Sequence, residues 1–222
     1  MKKMTRELKF RIMAFTICLI SIVGTMGYTI NSETEMIKKA SSDYKDKLIR
    51  FHCIANSDTD EDQALKLKVR DEVIAYLQPK LKGSKSVGES ENIIKSEIDK
   101  LKEISAEVIE DNGYDYKVDV ALTHSQFPTK QYSNVVLPAG EYKALKIIIG
   151  SGQGRNWWCV MFPPLCFVDD TNAVIDKETD DKLRNALTEE EYKLIAGKDK
   201  GDAEDKKLKF KTVELIEKLQ KK

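Results

Sequence analysis

The sequence predicts a mixed α+β domain: a mixed or antiparallel sheet with two amphipathic helices packed on it, followed by C-terminal helices. Three observations predict it. Strand-like stretches occur near residues 47–56, 114–122, 141–149 and 156–162. Between the first two, apolar residues recur at three- and four-residue steps, the spacing of a helix with one buried face. Finally, Asn156–Asp169 gathers both tryptophans and two of the four cysteines in a chain that is 33% charged. Large aromatic side chains bury about 150–250 Å² each, so this stretch is either the centre of the core or a recognition surface.

The N-terminus carries an address. Lys2, Lys3, Arg6, Lys9 and Arg11 precede an uncharged, largely apolar run from Ile12 to Ile30. Charge followed by an apolar run is the grammar of a secretory signal, and the length approaches the roughly 20 residues of a spanning helix. Residues 1–30 are therefore read as a signal peptide or a membrane anchor. Thr25, Met26 and Gly27 offer a small-x-small triplet. Basic residues before the run place 1–11 in the cytoplasm and 31–222 outside. The chain is thus expected to be exported and extracytoplasmic, held at the membrane if the segment is not cleaved.

Residues 31–46 form a polar spacer, and 47–169 the α+β domain. Lys47–Asn56 is a strand with Ile49, Phe51 and Cys53 on one face. His52, on the other face, is expected to be exposed or hydrogen-bonded to a carboxylate. Asn56, Ser57 and Asp58 make a turn, and Thr59 with three acidic residues opens a helix. Its stripe of Ala64, Leu65, Val69, Val73, Ile74 and Leu77 ends at Pro79 and Gly83. A second helix is expected from about Glu89 to Asp111, with Ile94, Ile98, Leu101, Ile104, Val108 and Ile109 inward and Gly113 as C-cap. Tyr114–Leu122 alternates as a half-buried strand. A loop, His124–Asn134, and a turn at Pro138–Gly140 lead to a buried strand, Glu141–Ile149.

Gly150–Arg155 resembles a phosphate cradle only superficially, because such cradles open a helix, whereas this loop runs into strand residues. It is read as a flexible hairpin connection between the strands on either side. Pro163 and Pro164 end the tryptophan strand. Residues 170–222 read as a charged helical region: an acidic connection around 176–181, a capped helix from Thr188 to Gly197, a charged loop 198–207, and a terminal helix 207–222.

Balanced charge, 37 basic against 37 acidic residues, argues against a nucleic-acid partner. No cofactor or small-molecule substrate is indicated. No C-x-x-C is present and the chain has 2 histidines, so no metal site is assigned. Cys18 lies in the apolar segment. Cys159 and Cys166 are either a disulfide pair or buried thiols. A Cys–His pair drawn from Cys159 or Cys166 with His124 or His52 gives the alternative reading, an extracytoplasmic hydrolase acting on cell-wall material. No glycine-flanked serine elbow and no H-E-x-x-H is found, and no catalytic residue is assigned. If Trp157 and Trp158 alternate on a strand, one faces inward and the other outward. An outward tryptophan beside Arg155 and Asn156 has the composition of an interface anchor. Asn56 and Asp58 either join that site or serve the turn.

Four segments together resemble the stage II sporulation protein R family of endospore-forming bacteria. They are Ile49–Asp58, Gln63–Asp71, Leu137–Tyr142 and Asn156–Phe167, the last being the most specific. Cys53 stands where that family's strand carries an aliphatic residue, which tells against a structural disulfide through it. Glu189–Tyr192 and Phe210–Leu215 resemble the family less distinctively. The resemblance implies a signalling protein with no catalysis of its own. Such proteins pass from the forespore into the space between forespore and mother cell. There they activate a membrane-embedded aspartic protease of the mother cell, which cleaves a sigma-factor precursor.

Overall fold

The computed structural model describes residues 44–166 and 174–220, together with Arg11, residues 13–22 and 24–25. The chain divides into two compact units, Met1–Ala40 and Ser41–Lys222. In the first, residues 13–22 are helical and exposed. No helix among the described residues is long and apolar enough to cross a membrane. Most of the expected signal or anchor segment, the spacer up to residue 43, and the acidic pair Asp169 and Asp170 lie outside the described residues.

The second unit is built on a four-stranded mixed sheet in the order β2-β5-β1-β6. These strands are β1 (Ile49–Ile54), β2 (Val118–Phe127), β5 (Gly140–Ile149) and β6 (Asn156–Phe162). β5 runs parallel to β1, while β2 pairs antiparallel with β5 and β6 antiparallel with β1. β3 (Lys130–Tyr132) and β4 (Val135–Leu137) form a separate antiparallel pair.

Alternation along each strand gives the sheet two different faces. Phe51 and Cys53 lie level with Leu145 and Ile147 of β5, and these with Leu122 and Val120 of β2. Against this face pack α1 (Asp60–Lys82), α2 (Val87–Ser96) and α3 (Ile98–Asp111). Val69, Val73, Leu77, Ile94 and Leu101 supply their buried stripes, each worth about 1.5–3 kcal/mol against exposure. The other face of β1 carries Arg50 and His52, both buried. His52, expected to be exposed or bonded to a carboxylate, is instead enclosed, and among the described residues neither ring nitrogen has a partner. Burial of both faces follows from β1's central position, which local alternation does not reveal.

Local chemistry explains the helix ends. Thr59 Oγ1 accepts from the Asp62 N–H (3.3 Å) above the acidic turn Asp60–Asp62, a cap worth about 1 kcal/mol. Pro79 does not stop α1, which continues to Lys82 because Leu81 is still buried. The second expected helix is two, broken at Glu97 (φ −103°, ψ 0°). The strand expected from Tyr114 begins at Val118 and runs to Phe127, while Tyr114 and Tyr116 stack on each other.

Gly150–Arg155 is not a hairpin connection. β5 and β6 flank β1, so the loop crosses the C-terminal end of β1 to reach the far side. Its glycines serve close approach: a Cβ on Gly154 would lie 2.1 Å from the Ser57 carbonyl oxygen, and Gly150 has φ +57°.

The C-terminal helices are α4 (Lys177–Ala186), α5 (Glu189–Ile195) and α6 (Lys200–Gln220). The acidic stretch 176–181 forms most of α4's first turns, because Asp176 caps it by accepting from the Thr179 N–H (3.0 Å). The expected loop 198–207 is largely α6. Asn134 ties this region to the sheet: its Nδ2 donates to Gly197 O (2.8 Å), and its Oδ1 accepts from the Ile175 N–H (2.9 Å). Lys47 completes the junction through an ion pair with Glu191 (2.7 Å).

Candidate functional site

Every residue singled out in the sequence for partner contact lies on or beside β6, which borders the sheet. Trp157 and Cys159 stand level with Cys53 and Phe51 of β1, on the helix-covered face; Trp158 stands level with His52 on the other. Trp157 is 36% exposed, and the Arg70 guanidinium of α1 lies 4.0 Å from its ring centre. Trp158 turns inward, stacking on His52 (5.0 Å between ring centres) and meeting Phe127 edge-on (4.8 Å).

Asn56 and Asp58 act at the entry to β6. Asn56 Nδ2 donates to Asp62 Oδ2 (2.9 Å), and Asn56 Oδ1 accepts from the Ser151 N–H (2.9 Å). Asp58 Oδ1 accepts from the Arg155 N–H (2.6 Å) and sits 3.5 Å from the Arg155 guanidinium. These bonds clamp the glycine loop onto the helix cap, so both residues position β6. Arg155 is exposed, and the half-buried Asn156 has a buried Oδ1 with no hydrogen-bond partner.

At the other end, Cys159 and Cys166 are joined by a disulfide. The Leu165 and Cys166 N–H groups both donate to Val160 O (3.1 Å). Together these fold the Pro163–Cys166 turn back on the strand. Along the edge runs a groove of about 530 Å³. Trp157 and Trp158 form its floor, Arg70 and Ile74 of α1 one wall, and Lys130 and Tyr132 of β3 the other.

The groove is electropositive. Burial holds the Lys130 ammonium below its ordinary range, and Arg50, Lys207 and Lys211 lower it further. Arg50, fully buried behind that wall, lies over the Phe127 ring (4.0 Å) and the Tyr142 ring (4.7 Å). Its Nη2 donates to the Tyr132 hydroxyl (3.0 Å), which in turn donates to Trp158 O (3.3 Å). Arg50 Nε and Nη1 have no hydrogen-bond partner. The neighbouring His52 is pushed down to about 4, by burial first and then by Lys146 and Arg50.

The hydrolase reading finds no nucleophile and base here. Cys159 and Cys166 are bonded to each other, and Cys53 is buried, its thiol pushed up to about 12 mainly by that burial. Cys53 and His52 alternate onto opposite faces of β1. His124 is exposed on β2, at the opposite border of the sheet. Among the described residues, no group of three or more His, Cys, Asp or Glu is placed to hold a metal.

The sequence did not single out Arg50, Arg70, Lys130 or Tyr132. Arg50 left one trace, a charge inside an otherwise apolar strand. Arg70 and Lys130 left none, since a solvated helix face and a polar loop read the same way.

Residues 45–172 match the family described as stage II sporulation protein R. A curated protein of that name from Bacillus subtilis (strain 168) is 44% identical over 137 residues, covering 62% of this chain and 61% of that protein. The match thus spans less than two thirds of the relative's own length. No solved structure matches the chain.

Proposed function

This chain belongs to the stage II sporulation protein R family, and from that premise we propose that it is an exported signalling ligand of sporulation. In this reading it acts in the space between forespore and mother cell, released or held at the membrane by its N-terminal segment. It engages a membrane-embedded aspartic protease of the mother cell and favours the protease's active arrangement by binding that arrangement more tightly. Cleavage of a sigma-factor precursor follows. The protein contributes binding energy and performs no bond chemistry itself.

The observation that carries this reading is Trp157. It is an exposed aromatic residue braced by Arg70 at the border of a rigid sheet, beside an open groove. Tryptophan and arginine are the residues in which interface energy concentrates. Holding Trp157 on a strand and Arg70 on a helix reduces the ordering cost of binding.

Co-expression with the candidate protease and its precursor substrate tests the proposal. Cleavage is expected only when this protein is present, and is expected to survive His124→Ala, which removes the one exposed histidine of the described residues. Cleavage that proceeds equally without the protein overturns the activating role. Loss of cleavage in a folded His124→Ala protein overturns the placing of the contact at β6.

A further inference from the structure

We propose that the outer edge of β6 accepts an extended, acidic segment of a partner protein as an added strand, seated in the groove between α1 and β3. The inference rests on the signalling reading above and supplies the chemistry of the contact.

The direction of β6's backbone groups comes first. Val160 O accepts from the Leu165 and Cys166 N–H groups, and Trp158 O accepts from the Tyr132 hydroxyl. Neither carbonyl is therefore committed to β1. In an antiparallel ladder alternate residues turn both backbone groups to the same side, so Asn156, Trp158 and Val160 direct theirs outward. No strand among the described residues pairs with that side. The disulfide-closed turn occupies the Val160 end. Among the described residues, what stays open runs from the Asn156 N–H to the Trp158 N–H, about 7 Å of strand at 3.3–3.4 Å per residue. Partner strands add to such edges through main-chain bonds, with side-chain pockets setting preference.

Charge then selects the occupant. Lys130 lines the groove with Arg50, Lys207 and Lys211 as its charged neighbours. Arg50 is wholly buried, with two nitrogens unpartnered and its third linked through the Tyr132 hydroxyl to the Trp158 carbonyl on the groove floor. That guanidinium faces the Phe127 and Tyr142 rings and lies outside the groove lining, so it contributes positive potential from behind the wall, and Lys130 is the cation that an arriving carboxylate meets. Among the described residues, Asp71 is the one acidic residue lining the groove, and it is already paired with Arg70 (2.6 Å). A neutral or basic strand gains the backbone bonds but no attraction from Lys130. The buried Oδ1 of Asn156 adds an unused acceptor for a partner N–H.

The test uses the full chain and a random dodecapeptide library displayed on phage. Selected peptides are expected to be rich in Asp and Glu, and binding to weaken about tenfold or more in Lys130→Glu. Asn156→Pro removes an outward N–H that the sheet does not use, and is expected to cost binding similarly while circular dichroism stays unchanged. Bound peptide should also slow hydrogen exchange at the Trp158 amide by about tenfold or more.

Peptides without acidic bias, or acidic ones indifferent to Lys130→Glu, overturn the charge assignment. An unprotected Trp158 amide overturns strand addition. A dimer that Asn156→Pro dissociates overturns the partner assignment in favour of a second copy. Precursor cleavage separates this inference from the reading beneath it. Cleavage that persists in Asn156→Pro and Lys130→Glu overturns strand addition and leaves signalling standing. Acidic-peptide binding with all its expected sensitivities, but no dependence of cleavage on the protein, does the reverse.

Discussion

The two borders of the sheet face the same physical problem and solve it in opposite ways. Among the described residues, β2 and β6 each have one neighbouring strand and none on the other side, and a sheet edge invites unwanted pairing. β2 is long and polar: Asp119, Thr123, His124 and Gln126 are exposed along it, and none of the exposed large apolar residues lies on it. That is a guarded edge. β6 is short and aromatic, carries exposed Trp157, and is flanked by a groove lined by Arg70 and Lys130. A fold that protects one border with polar side chains and furnishes the other with tryptophan, arginine and lysine is built to be approached from one side.

Perturbations behind β6 should have the largest effects. Trp158→Ala removes the ring that closes the His52–Phe127 stack, and is expected to cost about 3–5 kcal/mol. Chemical denaturation measures it; a loss below about 1 kcal/mol would mean that this face is loosely packed. Acid attacks the same stack. His52 drops from its ordinary 6.5 to about 4 in the folded protein, so between those values the unfolded chain takes up a proton that the folded one refuses. Stability is full above about pH 6.5 and falls as pH drops towards 4, by about 3 kcal/mol in all. His52→Phe keeps the stacking, removes the proton, and should flatten that part of a stability–pH curve. An unchanged curve would assign the acid response elsewhere.

The disulfide comes next. Its partners are 7 residues apart in sequence, and a loop that short is worth about 2–3 kcal/mol through the unfolded chain. The Cys159→Ser, Cys166→Ser double variant should therefore melt lower and also expose the Val160 end of the edge. Melting that matches the unmodified protein would assign the turn to its backbone bonds alone.

Much of this architecture was legible in sequence because it is local. Thr59 and its acidic turn, the capping box of Thr188 with Glu191, and the apolar steps of α1 and α3 depend on neighbours within a few residues. The break at Glu97 was invisible because Ile94, Ile98 and Leu101 keep helical spacing across it. Pro79 signalled a stop that Leu81's burial overrode. Strand order was not legible at all: nothing in Gly150–Arg155 announces that it crosses β1, and the reasons for its glycines, Ser57's carbonyl against Gly154 and the positive φ of Gly150, appear only in the fold. The site divides the same way. Trp157 and Trp158 drew attention by composition, but Arg70 and Lys130 reach the groove from two other elements, with Arg50 of a third buried behind it. No periodicity brings those together.

The comparison of the two edges is tested most directly by precursor cleavage with Trp157→Ala and His124→Ala measured side by side, each protein first shown to be folded. Trp157→Ala should cost about 1 kcal/mol of stability or less, since its ring is partly exposed, yet cut cleavage about tenfold or more. His124→Ala should change stability by less than about 0.5 kcal/mol and leave cleavage as it was. Full cleavage with Trp157→Ala, or its loss with His124→Ala alone, would place the contact away from β6 and contradict the account.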